Sequence, residues 1–348
     1  GTYKAWFGLG NASEELGDYR TALEAYERAL KSCPVLSGAA HRLASILLKV
    51  TDSDKVRTAM ERLTDLSHPS VLMALAIAFR EARLYSAALD YVRKGIAFGP
   101  NIALQTLRGE LELYSGQYEA AVATFAELTN CQEASPAVRT FAALASLMLG
   151  RIREAETLLE SAAGLPGESG RAWVFRQFAA LLEGRPPELL RATPGSTEHR
   201  PVVEAVWTLL AFLLERQEFE KFELAINLLD LVEPVASHRH LQLGKLYSTF
   251  GFGDSAIEEL GALSPGELDA EAAEILGNLC EERGLKEEAL SFFATALERD
   301  PKNPRRYAVL AVKARAAGET ELSVDTAQRG LADFPDHPIL RQVLAQAG

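Results

Sequence analysis

Large apolar residues along this chain are answered by small ones at fixed distances, and charged residues fill the positions between. Near the start, Trp6, Leu9 and Tyr26 are large, whereas Gly10, Ala22 and Ala29 are small. That alternation suits two helices that cross closely, with the bulky side chains filling the seam between them. A helix is expected over Tyr3–Leu16 and a second over Tyr19–Lys31, with Gly17 in the turn and Pro34 where the second helix cannot continue. The turn phrase then returns: Gly17-Asp18-Tyr19 with Ala22, Arg83-Leu84-Tyr85 with Ala88, Gly116-Gln117-Tyr118 with Ala121, Gly150-Arg151-Ile152 with Ala155, Gly251-Phe252-Gly253 with Ala256, and Gly284-Leu285-Lys286 with Ala289. Glycines 116, 150, 251, 284 and 318 are separated by 34, 101, 33 and 34 residues, and 101 is three such periods. A period of this length means stacked helical hairpins, because one hairpin cannot bury its apolar face alone.

The residues that carry the period are Trp6, Leu9-Gly10, Ala22, Tyr26, Ala29 and Pro34, then Leu243-Gly244 with Tyr247, Gly251 and Ala256, then Leu276-Gly277, Gly284, Ala289, Phe293, Ala296 and Pro301. In this pattern the chain resembles the tetratricopeptide repeat family, in the form of a long bacterial-type array; Ser13, where the family has Tyr, is a departure. The resemblance implies an all-α fold, a right-handed superhelical solenoid of about ten helix-turn-helix repeats. The frame places them at 3–36, 37–69, 70–101, 102–135, 136–169, 170–200, 203–236, 237–269, 270–303 and 304–337. The second repeat is degenerate, with Thr51-Asp52-Ser53-Asp54 in place of the glycine-aromatic turn. The sixth is interrupted by Gly184-Arg185-Pro186-Pro187 and Thr193-Pro194-Gly195-Ser196-Thr197, which leaves at most a short second helix around Glu188–Ala192. The domain reading is therefore repeats 1–6 over 1–184, an irregular hinge over 185–200, and repeats 7–10 over 201–348.

Composition narrows the function by exclusion. With 36 Lys and Arg against 48 Asp and Glu, the net charge is −12, and no basic cluster stands out, so nucleic acid is not an expected partner. The longest apolar run, Ala205–Leu214, is about half of the ~20 residues a membrane-spanning helix needs, so direct insertion is not expected. Cys33, Cys131 and Cys280 are widely separated and suggest neither a disulfide framework nor a zinc site. Three thiols suit a reducing compartment, but a periplasmic location after removal of a signal sequence stays open. No phosphate loop, dinucleotide fingerprint, nucleophile elbow or zinc-protease motif is present. Neither catalysis nor a cofactor is expected, and His238 and His240, two apart on a helix, face different ways.

What remains is recognition. In the family the first helix of each repeat, helix A, lines the concave side that grips a protein or peptide partner. The expected apolar lining is Leu113, Tyr114, Leu144, Leu147, Met148, Phe178, Leu181, Trp207 and Leu214, with Met73, Ile77, Arg80, Thr106 and Glu110 before it. The expected polar contacts are Asn11 and Asn278, together with an acidic patch of Glu271, Glu274, Glu281 and Glu282. Asn11 and Asn278 occupy the place of the first Asn of the family's carboxylate clamp. Phe7 and Glu274 stand where its Lys belongs, so a chaperone-tail clamp is not expected. The leading reading is a non-catalytic scaffold that lays a partner segment into its groove; a homodimer packed through the same apolar face is the competing occupant. The alternative function is the recognition arm of a larger enzyme or secretion machine, such as a glycosyltransferase or an exopolysaccharide-export protein.

Overall fold

The computed structural model describes residues 2–129, 131, 135–165, 167–190, 196–197 and 199–346. Among them are twenty-one α-helices and no strand. The chain divides into two compact units, Gly1–Leu228 and Leu229–Gly348. In the first unit the helices pair as α1 (Tyr3–Glu15) with α2 (Tyr19–Ser32), α3 (Ser37–Val50) with α4 (Ser53–Leu63), α5 (Pro69–Glu81) with α6 (Tyr85–Ile96), α7 (Ile102–Tyr114) with α8 (Tyr118–Thr129), and α9 (Ala137–Met148) with α10 (Ile152–Ala162). Next comes α11 (Ser169–Leu182), and then α12 (His199–Glu215) with α13 (Phe219–Ile226). The second unit contains the short α14 (Leu229–Val232), α15 (Ala236–Thr249) with α16 (Gly253–Gly261), α17 (Ala270–Glu282) with α18 (Lys286–Arg299), α19 (Pro304–Ala317) with α20 (Thr320–Asp333), and the terminal α21 (Pro338–Ala345). Within each unit, helices pack on their chain neighbours and on the next helix but one, as a helical solenoid does.

The recurring small and large positions set the hairpin geometry. A methyl group added at Gly10 would lie 2.4 Å from the Tyr26 ring, at Gly109 2.5 Å from Phe125, at Gly244 2.4 Å from Leu260, and at Gly277 2.8 Å from Phe293. In these four repeats the A helix thus touches its B helix through a position where only hydrogen fits. The turn that follows is left-handed at Gly17 (φ 76°), and its amides close the helix end: Gly17 N–H donates to Glu14 O at 3.0 Å and Asp18 N–H to Ser13 O at 2.8 Å. Where glycine is missing the conformation persists, with Arg83 at φ 59° and Gln217 at φ 56°.

The two weak repeats fare differently. In the second, Asp52 caps Asp54 N–H at 2.9 Å, and α4 forms in full despite the lost turn motif. In the sixth, residues 185–190 are not helical, contrary to the short second helix expected from Glu188; its continuation through Ala192, with Thr193-Pro194-Gly195, lies outside the described residues. Pro187 clashes with a helical conformation at Pro186 before it, so a helix cannot run through this pair. Instead the buried Gln177 of α11 accepts the Glu188 amide at 2.7 Å and holds the extended segment against the helix. With no second helix in the way, α12 packs directly on α11, where Gly170 sits so close to Pro201 that an added methyl would fall 2.9 Å from its backbone.

Helix α12 is also the longest, at 17 residues, and apolar nearly all round, with Val206, Leu209, Leu210, Phe212, Leu213 and Leu214 all buried. A stripe through Arg200, Glu204 and Thr208 stays exposed, and most of the rest of the helix is covered. Most of the run Ala205–Leu214 is therefore core, with Thr208 on the exposed stripe. No helix among the described residues is long and apolar enough to cross a membrane.

Candidate functional site

In the first unit the accessible inner surface lies over the A helices of repeats one to four. A cleft of about 540 Å³ is lined by Met73, Ile77 and Arg80 of α5 and by Ile102, Thr106 and Glu110 of α7. Beside it a second cleft of about 390 Å³ runs past Glu81, Tyr85 and Tyr114. A third, of about 360 Å³, lies between α1, α3 and α5 against Glu14, His41, Arg42 and Ser45. The apolar floor comes from Met73 and Ile77, both half-buried.

The charges on this surface bridge successive A helices. Arg42 of α3 pairs with Glu14 of α1 at 3.4 Å, His41 of α3 lies 3.1 Å from Glu81 of α5, and Arg80 of α5 pairs with Glu110 of α7 at 2.7 Å. Burial pushes the Glu110 carboxyl above the usual range, and Arg80 pulls against that shift. Asn11 is drawn into the same ladder. The Tyr26 hydroxyl lies 2.8 Å from its Oδ1 and 2.7 Å from Glu14 Oε2, so Asn11 supports its own hairpin.

Repeat seven closes the far end of this surface. Tyr114 stacks on Tyr85, with centroids 5.8 Å apart, and meets Phe212 of α12 edge-on at 5.4 Å. The Tyr85 hydroxyl donates to Glu215 at 2.6 Å, and Tyr118 donates to Glu218 at 3.1 Å. Arg216 lies across Gly116, where an added methyl would fall 2.6 Å from its Nη2. Burial first, and then the Glu215 carboxylate, raise the Tyr85 phenol well above its ordinary range. These contacts join residues 100 and 130 positions apart, and reading the sequence did not find them. The available signal was the polar stretch Glu215–Glu218 directly after an apolar run, facing three tyrosines that close or open helices.

This arrangement corrects the expected apolar lining. Leu113, Leu144, Leu147, Met148, Phe178 and Leu214 are buried; Leu113, Leu147 and Phe178 have no accessible surface. They fill the interior between successive helices, where α7 packs on α9, α9 on α11 and α11 on α12. Tyr114, Leu181 and Trp207 are half-buried. The accessible part of the lining is thus displaced toward Met73, Ile77, Arg80, Thr106 and Glu110.

In the second unit the acidic patch is largely neutralised. Glu271 pairs with Lys245 of α15 at 2.7 Å, Glu274 with Arg305 at 2.6 Å and with Arg306, and Glu281 with Lys313 of α19. Glu274 and Arg306 are mostly buried, so this pair joins α17 to α19. Lys245 also meets Asp269 at 2.6 Å. Asn278 and Glu282 remain exposed. Three of the four carboxylates expected to attract a basic partner are thus engaged with cations of neighbouring A helices. Among the described residues no three His, Cys, Asp or Glu side chains gather as metal ligands, and His238 and His240 pair with separate carboxylates, Glu233 and Glu259.

Fold and surface together define a helical-repeat protein whose first unit carries clefts with apolar and charged lining. Residues 3–34 match one tetratricopeptide repeat family model and residues 241–304 match another. Tetratricopeptide repeats are thus identified over residues 3–34 and 241–304. The matched stretches contain the first, eighth and ninth repeats, which hold the fullest set of pattern residues. Comparison with curated proteins finds no match. Solved structures that resemble it include the APC/C hetero-tetramer Cut9-Hcn1, at 15% identity and TM-score 0.33 over 97% of this chain and 74% of that one. The Naa15/Naa10 complex bound to HypK-THB gives 15% and 0.35 over 99% of this chain and 65% of the matched chain, just under two thirds of its length. A tetratricopeptide repeat protein from Parabacteroides merdae gives 14% and 0.35 over 89% and 98%.

Proposed function

We propose that this protein is an interaction scaffold that takes a peptide segment or helix of a protein partner along the inner faces of α1, α3, α5 and α7. The observation that supports this reading is the run of three clefts there, with Met73 and Ile77 at the floor and paired charges along the walls. An amphipathic groove of this kind accepts apolar anchors spaced along a helix or an extended chain. Repeat arrays use such concave surfaces for binding. The later inner surface contributes less, because its apolar side chains already pack on one another. The test is a capture experiment with immobilised chain and a Met73→Asp/Ile77→Asp variant, with folding checked by circular dichroism. A partner retained by the parent and by Leu16→Asp, but lost from the groove variant, supports the reading. Equal capture by all three moves recognition off this face.

A further inference from the structure

Three ion pairs on the inner face of the first unit share an orientation. Arg80 pairs with Glu110, Arg83 of the α5–α6 turn with Glu215, and Arg171 of α11 with Glu168. In each of the three the arginine is the outer member, with side-chain exposures of 34% against 19%, 45% against 15%, and 36% against 6%. Two of the carboxylates beneath are also held from inside, Glu215 by the Tyr85 hydroxyl at 2.6 Å and Glu168 by the Thr140 hydroxyl at 2.7 Å. The arginines meet at one place. Arg80 and Arg83 line the cleft of about 390 Å³ with Tyr85, Tyr114 and Phe141, and Arg171 lies over the Phe141 ring, 5.7 Å from its centroid. Arg80 and Glu110 also line the cleft floored by Met73 and Ile77, so the two clefts are contiguous.

We infer that this cleft selects an acidic partner: it takes the side-chain carboxylate of an Asp or Glu, set beside an apolar anchor that fills the Met73–Ile77 cleft. The inference rests on the groove reading above and adds to it the chemistry of the partner. A guanidinium carries five N–H donors, and Arg80 commits Nη1 to Glu110 at 2.7 Å. A carboxylate arriving from solvent meets guanidinium before it meets Glu110, Glu215 or Glu168, and the aromatic walls leave less water to screen the attraction. Glu81 lines the same cleft and is exposed, but its carboxylate faces α3, where His41 Nε2 lies at 3.1 Å and the Ser45 hydroxyl donates from 3.4 Å. The net charge of −12 does not decide against an acidic partner. At physiological ionic strength exposed charges more than about 8 Å away are largely screened, so the local order of arginine over carboxylate sets what the cleft attracts. A basic segment is the poorer occupant, because the carboxylates that would draw it are already paired and covered.

The test selects binders to the immobilised chain from a random peptide library displayed with its C-terminus fused, so that side-chain carboxylates alone are offered. Recovered peptides are expected to be enriched in Asp or Glu next to apolar residues. Changing those acids to Asn or Gln is expected to weaken binding to the parent at least tenfold, a comparison that does not depend on how any variant folds. Arg80→Gln/Glu110→Gln removes the guanidinium without stranding a carboxylate, and there the preference for the acidic form is expected to shrink at least threefold. Recovered peptides without acidic enrichment, no recovered peptide, or a preference of full size in the folded double variant would each overturn the inference. Met73→Asn/Ile77→Asn, which changes no charge, tests the groove reading separately. Neutral or basic peptides lost from that variant would leave the groove in place and remove the acidic selection, whereas acidic peptides that it keeps at full affinity would overturn both.

Discussion

At the scale of single residues, the most constrained positions are those where an A helix meets its B helix. Gly109 shows the balance of effects. An alanine or valine there gains up to about 1 kcal/mol of helix preference, but its β-carbon would lie 2.5 Å from the Phe125 ring, which is itself fully buried. Overpacking wins, and Gly109→Val is expected to cost about 2 kcal/mol in urea denaturation. The turn position has the opposite sign. Gln217 holds a left-handed φ of 56° that a side chain adopts at a cost of about 1–2 kcal/mol. Gln217→Gly removes that strain, and after the added chain entropy of glycine it is expected to stabilise by about 0.5 kcal/mol, read as an upward shift in the denaturation midpoint. Charged residues divide by burial. Glu274→Gln leaves the buried Arg306 only the more distant Asp300, at 3.8 Å, and is expected to cost about 2–3 kcal/mol, whereas Glu282→Lys on the exposed face stays within about 0.5 kcal/mol. Pattern residues such as Gly10, Tyr26, Gly277 and Phe293 were legible because volume complementarity repeats along the chain. The pairing of Glu271, Glu274 and Glu281 was not, because Lys245, Arg305, Arg306 and Lys313 reach them from neighbouring repeats.

At the scale of elements, the caps tie helix ends to pH. Asp269 accepts the Ala272 amide at 2.8 Å and pairs with Lys245. Burial alone would raise its carboxyl, but the Lys245 ammonium and the backbone amides outweigh that and hold it below the ordinary 3.8. A lowered folded-state value means that the unfolded chain binds the proton more readily. The stabilisation is thus complete above pH 3.8 and is lost as the pH falls through the lower, folded-state value. Asp269→Asn keeps a capping oxygen but not the charge. It is expected to lower stability at neutral pH and to flatten the acid limb of the profile below pH 3.8, measured by denaturation at a series of pH values. The 185–190 segment depends on one side chain in a similar way. Gln177→Ala is expected to speed exchange of the Glu188 amide at least tenfold, because that amide loses its acceptor. The sequence showed that the sixth repeat would lack a regular second helix, since Pro186 and Pro187 forbid one locally. It did not show what replaces it, because Gln177 reads as an ordinary polar residue of an A helix.

At the scale of the whole molecule, an array held only by contacts between neighbours opens repeat by repeat, with each interface yielding almost independently. The contact of Tyr85, Tyr114 and Tyr118 with Phe212, Glu215 and Glu218 changes the order of events in the first unit. It converts the stretch between repeats three and seven from a line into a ring, and a ring cannot fray from one end. Local openings within residues 85–215 must break the closing contact or be borne inside a loop whose ends are fixed. The middle repeats are therefore expected to open as one cooperative block and the first two repeats earlier, an order that native-state amide exchange would show.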